Sequence, residues 1–271
     1  MSNAHASSRT KPVIGHPRLS IVIPVRNEGI NLKIMLKILK AVVEVPHEVR
    51  VVYDSPHDDS IPVVKNLQPA YPYLYGVLNE KGRGVINALK AGVESAQGDF
   101  VLIFAADEVG PVMAIEEMLE LMDSGCDFIS CTRYAHGGRR LGGSPSGRLL
   151  STLANWMFRY MAGCVLTDAT TGIKMFRREH FPRFNLESKP VGWAVAFEMA
   201  IKAQALGLKI GEVPIVSVDR LYGGKSTFRL TSWTIEYLRW FFWGWRELRK
   251  APTRMRRSDV QVKLPAAFVE S

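Results

Sequence analysis

The sequence predicts an α/β fold built on a mostly parallel central sheet flanked by helices. Short apolar runs rich in Val, Ile and Leu alternate with longer stretches of helical period, the rhythm of βαβ units. One run, Val101 to Phe104, has no polar side and reads as a strand covered on both faces, as inside a parallel sheet. Several runs end in acids, Glu28, Asp54 and the pair Asp107-Glu108, at the carboxyl ends where open α/β sheets bind ligands.

The elements follow in order. Met1 to Pro17 is polar, without periodicity, and reads as a disordered arm. Leu19 to Val25 is the first strand, followed by the loop Arg26-Asn27-Glu28-Gly29. A helix starts at Asn31, with Leu32, Ile34, Met35, Leu36, Ile38 and Leu39 on its broad apolar face. Glu48 to Tyr53 is the second strand and runs into the polar stretch Asp54 to Ser60; Ile61 to Leu67 is helical. Tyr73 to Leu78 is the third strand, Asn79 to Gly84 a glycine-containing turn, Val85 to Ala96 a helix and Phe100 to Phe104 the fourth strand. The rhythm then changes. Ile115 to Ser124 is a helix, Asp127 to Thr132 a strand, and Arg133 to Arg148 a long basic, glycine-rich loop. Leu149 to Ala162 is a helix, and Asp168 to Arg177 a polar turn entering a short strand. Gly192 to Leu206 is a helix, Lys209 to Val218 a strand, and Thr231 to Lys250 a helix crowded with aromatics. The tail beyond Pro252 is basic and is expected to be mobile.

Composition narrows the partners. The chain of 271 residues carries a formal net charge of +9, which favours ligands bearing phosphate: nucleotides, nucleic acid or an anionic membrane surface. The cations are spread among loops and match no nucleic-acid module, so nucleic acid is not expected. Cys126, Cys131 and Cys164 form neither a disulfide framework nor a zinc spacing, which points to a reducing cytoplasm. An apolar leader and an uninterrupted apolar stretch of about 18 residues are both missing, so neither a secretory signal nor a membrane span is expected.

Carboxylates at successive strand ends suit the N–H and O–H groups of a base and ribose, and Asp107-Glu108 suits a divalent cation held for a phosphorylated substrate. The competing reading is that Asn27, Asp54 and Asp107 only cap the helices that follow. Arg26-Asn27-Glu28-Gly29 is neither a dinucleotide-binding glycine fingerprint nor a P-loop, which argues against dehydrogenases and P-loop NTPases.

The ordered motifs resemble those of family 2 glycosyltransferases. Ile23-Pro24-Val25-Arg26-Asn27-Glu28 is similar to their opening I-P-x-x-N-E, and Val51-Val52-Tyr53-Asp54-Ser55-Pro56 to V-V-D-D-x-S. Asn79 to Gly84 resembles N-x-x-x-G-x-G, and Gly98-Asp99 to Asp107 stands where G-D-x-V-x-x-x-D-A-D would. Asp168 to Lys174 resembles the D-x-x-S-G-F-R segment of dolichol-phosphate mannose synthase-like members. Glu212-Val213-Pro214-Ile215, Arg220 and Gly224-Lys225-Ser226 resemble that subgroup's E-V-P-I and R-x-x-G-x-S-K endings.

The resemblance implies a GT-A fold with a Rossmann-like sheet over residues 18–230. It implies inverting sugar transfer from a nucleotide diphosphate to a polyprenyl phosphate or, alternatively, to a surface glycan. Pro24, Asn27, Glu28 and Asp54 would hold the nucleoside, Lys81 would meet the diphosphate, and Asp107 would sit at the metal and diphosphate. Arg133, Arg148, Arg220 and Lys225 would meet the acceptor phosphate. Mg²⁺ or Mn²⁺ is the implied cofactor, with Asp107 and Glu108 as its ligands. Two departures weaken a preformed metal site: Ala105 stands for the first acid of D-A-D, and Val109 for a polar position two residues past Asp107. They leave room for a homologue that binds a nucleotide-sugar without catalysis.

The last helix, 231–250, carries Trp233, Tyr237, Trp240, Phe241, Phe242, Trp243 and Trp245, and the basic tail 251–271 follows it. An aromatic belt beside a basic flank predicts an interfacial helix on an anionic membrane, on the cytoplasmic face. The alternative is a helix packed on the core, on a second copy or on a membrane partner protein.

Overall fold

The computed structural model describes residues 15–142, 145–190, 192–218, 230–250 and 255–265, with the side chains of 145–146 and 230–234 left aside. The first half is a regular alternation: β1 (Leu19–Val25), α1 (Gly29–Val42), β2 (His47–Tyr53), α2 (Ser60–Leu67), β3 (Leu74–Leu78), α3 (Val85–Ser95) and β4 (Phe100–Ile103). A 3-10 turn, Gly110–Ala114, leads into α4 (Ile115–Asp123) and β5 (Phe128–Thr132). Then come β6 (Arg139–Leu141), α5 (Pro145–Met157), which widens into a π turn over Phe158–Ala162, and β7 (Lys174–Arg177). The chain closes with α6 (Ala194–Ala205), β8 (Ile210–Pro214), β9 (Val216–Val218), α7 (Leu230–Lys250) and β10 (Gln261–Val262).

Among the described residues the main sheet has eight strands in the order β3-β2-β1-β4-β7-β5-β8-β10. All neighbours are parallel except β7, which runs against β4 and β5. The two-residue alternation of the strands divides the core. Leu19, Ile21 and Ile23 face α1, α2 and α4, where Leu32, Met35 and Met118 are fully buried. Val22, Val101 and Ile103 face α3, α6 and α7, among Leu89, Phe197 and Trp240. The run at β4 is buried at every position, as its unbroken apolarity predicts.

Three expectations are corrected. The Lys209–Val218 run breaks at Ile215: its second part, β9, leaves the main sheet and pairs in parallel with β6, inside the stretch read as loop. Ile215 is the pivot, donating its N–H to the Thr132 carbonyl (2.9 Å) while its own carbonyl accepts from Arg139 N–H (2.9 Å). The crossing is tight, because a Cβ on Gly110 would stand 2.0 Å from the Val216 carbonyl oxygen. The tail past Pro252 is not loose throughout: β10 adds a strand beside β8. The aromatic helix is not wholly interfacial: Trp240 and Phe241 are buried, whereas Phe242 is 61% exposed.

Candidate active site

Because β1, β2, β3, β4, β5 and β8 are mutually parallel, their carboxyl ends share one edge of the sheet, and the amino end of β7 meets them there. Val25 pairs with Tyr53 and Tyr53 with Leu78, so the loops carrying Glu28, Asp54 and Asn79 emerge side by side. Asp107 follows β4, the neighbour of β1 on the other side.

The first loop is shaped by the second. Asn27 adopts φ 54°, and its N–H donates to Asp58 Oδ2 at 3.0 Å. The N–H of Glu28 donates to Ser60 Oγ (3.3 Å), and that of Gly29 to Asp59 Oδ1 (2.9 Å). The three successive amides that lead into α1 are thus taken by side chains of the second loop. Glu28 Oε2 accepts from Asn31 Nδ2 at 2.7 Å. Pro24 and Glu28 are half-buried and Asn27 is exposed.

Asp54 does not cap α2. Its carboxylate accepts from Asn79 Nδ2 (2.7 Å) and from the N–H of Gly84 (3.1 Å), the residue at the start of α3. Lys81 lies on the same turn, its N–H donating to Asn79 Oδ1 and its Nζ paired with Glu94 at 2.8 Å.

Asp107 and Glu108 are half-buried, and Glu108 accepts the hydroxyl of Ser217 on β9. Among the described residues, groups of three or more His, Cys, Asp or Glu side chains able to hold a metal are absent. Asp107, with Ala105 and Val109 beside it, belongs to no such group among the described residues.

Across the edge lies a cluster of a different kind. Arg133, expected to meet an acceptor phosphate, instead turns inward. Its Nε and Nη2 fork Asp168 at 2.7 and 3.1 Å, and Nη2 also donates to Thr170 Oγ1 at 2.9 Å. Asn155 on α5 donates to Asp168 Oδ1 (3.0 Å) and accepts the Ala169 N–H (3.0 Å), while Ser151 lies 3.1 Å from Thr170. Beneath them Lys174 Nζ, fully buried, donates to Ser130 Oγ at 2.6 Å. Glu212 accepts from the N–H and hydroxyl of Thr167 at 2.7 and 2.9 Å.

Burial opposes the charge of each group, and its partners decide the outcome. Asp168 is held down to about 2, because Arg133, its hydrogen bonds and Lys174 outweigh desolvation. Lys174 is pulled down to about 8 by burial, against the pull of Asp168. Glu212 is pushed up to about 7 by burial, against its bonds from Thr167.

Of the other expected acceptor cations, Arg148 is exposed on α5 and donates to the Arg140 carbonyl (3.0 Å), while Arg220 and Lys225 lie outside the described residues. Asp168, Asn155, Lys174 and Glu212 were missed as a unit. The available signal was a charge inside an apolar strand: Lys174 opening Lys-Met-Phe-Arg, and Glu212 within Ile-Gly-Glu-Val-Pro. Glu198 on α6 is fully buried and accepts the backbone N–H groups of Glu187 and Ser188.

A mostly parallel sheet with one reversed strand and an acidic carboxyl edge define an α/β protein with the GT-A glycosyltransferase fold. Crystal structures of glucosyl-3-phosphoglycerate synthase from Mycobacterium tuberculosis share that fold. Its complex with Mn²⁺, UDP and glucosyl-3-phosphoglycerate aligns with a TM-score of 0.62 at 17% identity, over 85% of this chain and 80% of that one. The chain belongs to glycosyl transferase family 2, whose profile matches residues 20–184. It is 26% identical over 231 residues to the dolichol-phosphate mannosyltransferase of Pyrococcus furiosus; the match covers 82% of this chain and only 64% of that protein. It is 25% identical to the polyprenol monophosphomannose synthase of Mycolicibacterium smegmatis, over 80% of this chain and 87% of the relative.

Proposed function

We propose that this chain is an inverting glycosyltransferase that moves a sugar from a nucleotide-diphosphate donor to a polyprenyl phosphate on the cytoplasmic face of a membrane. The observation that carries the reading is the two-sidedness of α5. Its inner face, Ser151 and Asn155, is hydrogen-bonded to Thr170 and Asp168 at the sheet edge. Its outer face exposes Leu149, Leu153, Trp156 and Tyr160 in one stripe at helical spacing. A lipid phosphate needs both: a polar edge for its head and an apolar surface for the bilayer that carries it. α7 packs on the π turn that ends α5, with the Phe158 and Phe241 rings 5.0 Å apart, and it exposes Ile235, Leu238, Phe242 and Trp245 among Arg239, Arg246 and Arg249. Aromatic and basic groups together suit an anionic interface. No helix among the described residues is long and apolar enough to cross a membrane. The names of the two curated relatives support the acceptor class.

In this reading Pro24, Asn27, Glu28 and Asp54 hold the nucleoside and Lys81 swings to the diphosphate. An oxygen of the acceptor phosphate attacks the anomeric carbon from the face opposite the diphosphate. The new C–O bond forms as the old one breaks, its electron pair leaves with the diphosphate, and the configuration inverts. A phosphate monoester with a second pKa of about 6 is largely ionised at neutral pH, so a protein base is not required. Asp107 would hold Mg²⁺ or Mn²⁺, which would supply neutralisation of the charge on the leaving diphosphate. Arg148, Arg220 and Lys225 draw in the acceptor phosphate, and Arg133 shapes that wall through Asp168.

The test is a panel of GDP-mannose and UDP-glucose, each with and without Mg²⁺, followed by melting temperature and by turnover with undecaprenyl phosphate, 3-phosphoglycerate or a surface glycan. One donor should raise the melting temperature, more so with the cation, and only the lipid phosphate should accept sugar. Asp107→Ala should remove the cation-dependent part of the shift. Transfer to 3-phosphoglycerate or glycan alone overturns the lipid acceptor. Donor binding with no turnover favours the non-catalytic homologue that Ala105 and Val109 suggest.

A further inference from the structure

The segment 185–190 connects the region after β7 to α6, and side chains from three helices, α3, α6 and α7, hold five of its polar backbone groups. The Asn185 carbonyl accepts Lys202 Nζ from α6 at 2.6 Å, and the Leu186 carbonyl accepts Lys90 Nζ from α3 at 3.2 Å. The N–H groups of Glu187 and Ser188 donate to the two oxygens of Glu198 on α6, at 2.6 and 2.8 Å. The next N–H, that of Lys189, donates to Glu236 Oε1 on α7 at 3.1 Å. Two buried carboxylates thus fix three successive amides.

The residue that follows is pressed on the donor side of the site. A Cβ on Gly84 would stand 2.0 Å from the Pro190 carbonyl oxygen, so the two backbones touch and only glycine fits. Gly84 sits at φ 124°, and its N–H is the one that Asp54 accepts. A continuous set of contacts runs from Glu236 to Lys189, Pro190, Gly84 and the Asp54 carboxylate.

We propose that Glu236 is a positioning residue for the nucleotide: from α7 it fixes the strap that seats the Gly84 turn and orients Asp54. The proposal rests on the donor role given to Asp54 above. It assigns to α7, the helix offered to the membrane, a second task inside the protein. A polar oxygen is what the strap requires, since the Lys189 amide needs an acceptor. The neutral Glu236→Gln variant retains one, and Glu236→Ala does not. The ion pair with Arg239 at 3.1 Å is peripheral, because that arginine is half exposed.

The experiment compares Glu236→Ala, Glu236→Gln and Gly84→Ala in the full chain. Calorimetry with GDP and with UDP in Mg²⁺ reads nucleotide affinity, and hydrogen exchange reads the Gly84 amide without any ligand. Glu236→Ala should weaken binding of the preferred nucleotide about tenfold, the scale of one hydrogen bond, and speed Gly84 exchange by a similar factor. Glu236→Gln should stay within about twofold of the parent on both. Gly84→Ala, which must displace Pro190 from the other side, should weaken nucleotide binding like Glu236→Ala. A Glu236→Ala protein with parental Gly84 exchange, or with parental nucleotide affinity, overturns the proposal. So does a Gln variant as impaired as the Ala variant. A parent that binds neither nucleotide overturns the donor site itself, and Gly84 exchange then decides whether Glu236 seats the turn.

Discussion

The two halves of the sheet's carboxyl edge are held together by opposite chemistries. Beside β1, β2 and β3, carboxylates that range from buried Asp58 through half-buried Asp54 to exposed Asp59 hold backbone amides with buried Asn79: Asp58 and Asp59 hold the first loop, and Asp54 with Asn79 holds the Gly84 turn. Beside β5, β7 and β8, Arg133, Asp168, Lys174 and Glu212 form a charged cluster inside the protein, linked through side chains and loop carbonyls. The first arrangement resembles a wet hinge whose groups retain lone pairs for a ligand. The second is a fixed wall, whose charges are satisfied by one another and have little to offer an incoming phosphate. Binding is then expected to reshape the first half and to leave the second in place.

The sharpest way to break this contrast is to delete one acid from each half. Asp168→Ala strands the Arg133 guanidinium, whose side chain is only 10% exposed, in the interior. Loss of one partner of such a pair costs about 3–5 kcal/mol, against about 1 kcal/mol for Asp54→Ala, which removes ordinary hydrogen bonds at a half-exposed site. Thermal unfolding should show a large fall for the first variant and a small one for the second. Equal losses would mean that the two halves do not differ in kind.

A smaller effect sharpens the contrast through pH. Glu212 has a native value of about 7 against an ordinary 4.5, so the folded protein holds this proton more tightly than the unfolded chain. Its contribution is fully present below 4.5 and is lost as pH rises through 7. Glu212→Gln keeps an oxygen for Thr167 and cannot ionise. Relative to the parent, the variant should gain on the order of 1–3 kcal/mol between those limits, read from melting temperatures across the range. Lys174, lowered from 10.5 to about 8, acts in a separate window: stability rises as pH climbs through it. A Glu212→Gln profile parallel to the parent's between pH 4.5 and 7 would place the raised value elsewhere.

The same contrast explains what the sequence made legible. The β1–β4 half is legible almost to the residue, since local period fixes each βα unit and successive strand ends become neighbours. The second half depends on pairings distant in sequence. Asp168 meets Arg133 across 35 positions, and Glu212 meets Thr167 across 45. Nothing local in Arg133-Tyr134 shows that the guanidinium turns inward, so from sequence it reads as a loop arginine free to meet a phosphate. The last helix divides similarly. Its aromatic content was plain, but whether Trp240 or Phe242 faces the protein depends on where α6 and the π turn lie. β10 could not be read at all, because two exposed residues gain their strand character only from the β8 edge.

The smallest expected effect tests the wet half most directly. Lys81 and Glu94 form a pair at 2.8 Å with side chains 41% and 60% exposed. An ion pair so open to solvent contributes about 0–0.5 kcal/mol and is screened by salt. Lys81→Met should therefore leave the melting temperature of the ligand-free protein unchanged within error. If Lys81 leaves Glu94 for the diphosphate, the variant should lose part of the stabilisation that GDP or UDP confers, and the loss should shrink as salt is raised from about 0.05 to 0.5 M. A full nucleotide shift in Lys81→Met at low salt would keep Lys81 on Glu94 and return the diphosphate to the cations beyond β5. The wall would then supply charge to the ligand after all, and the division between the two halves would fail at the point where they meet.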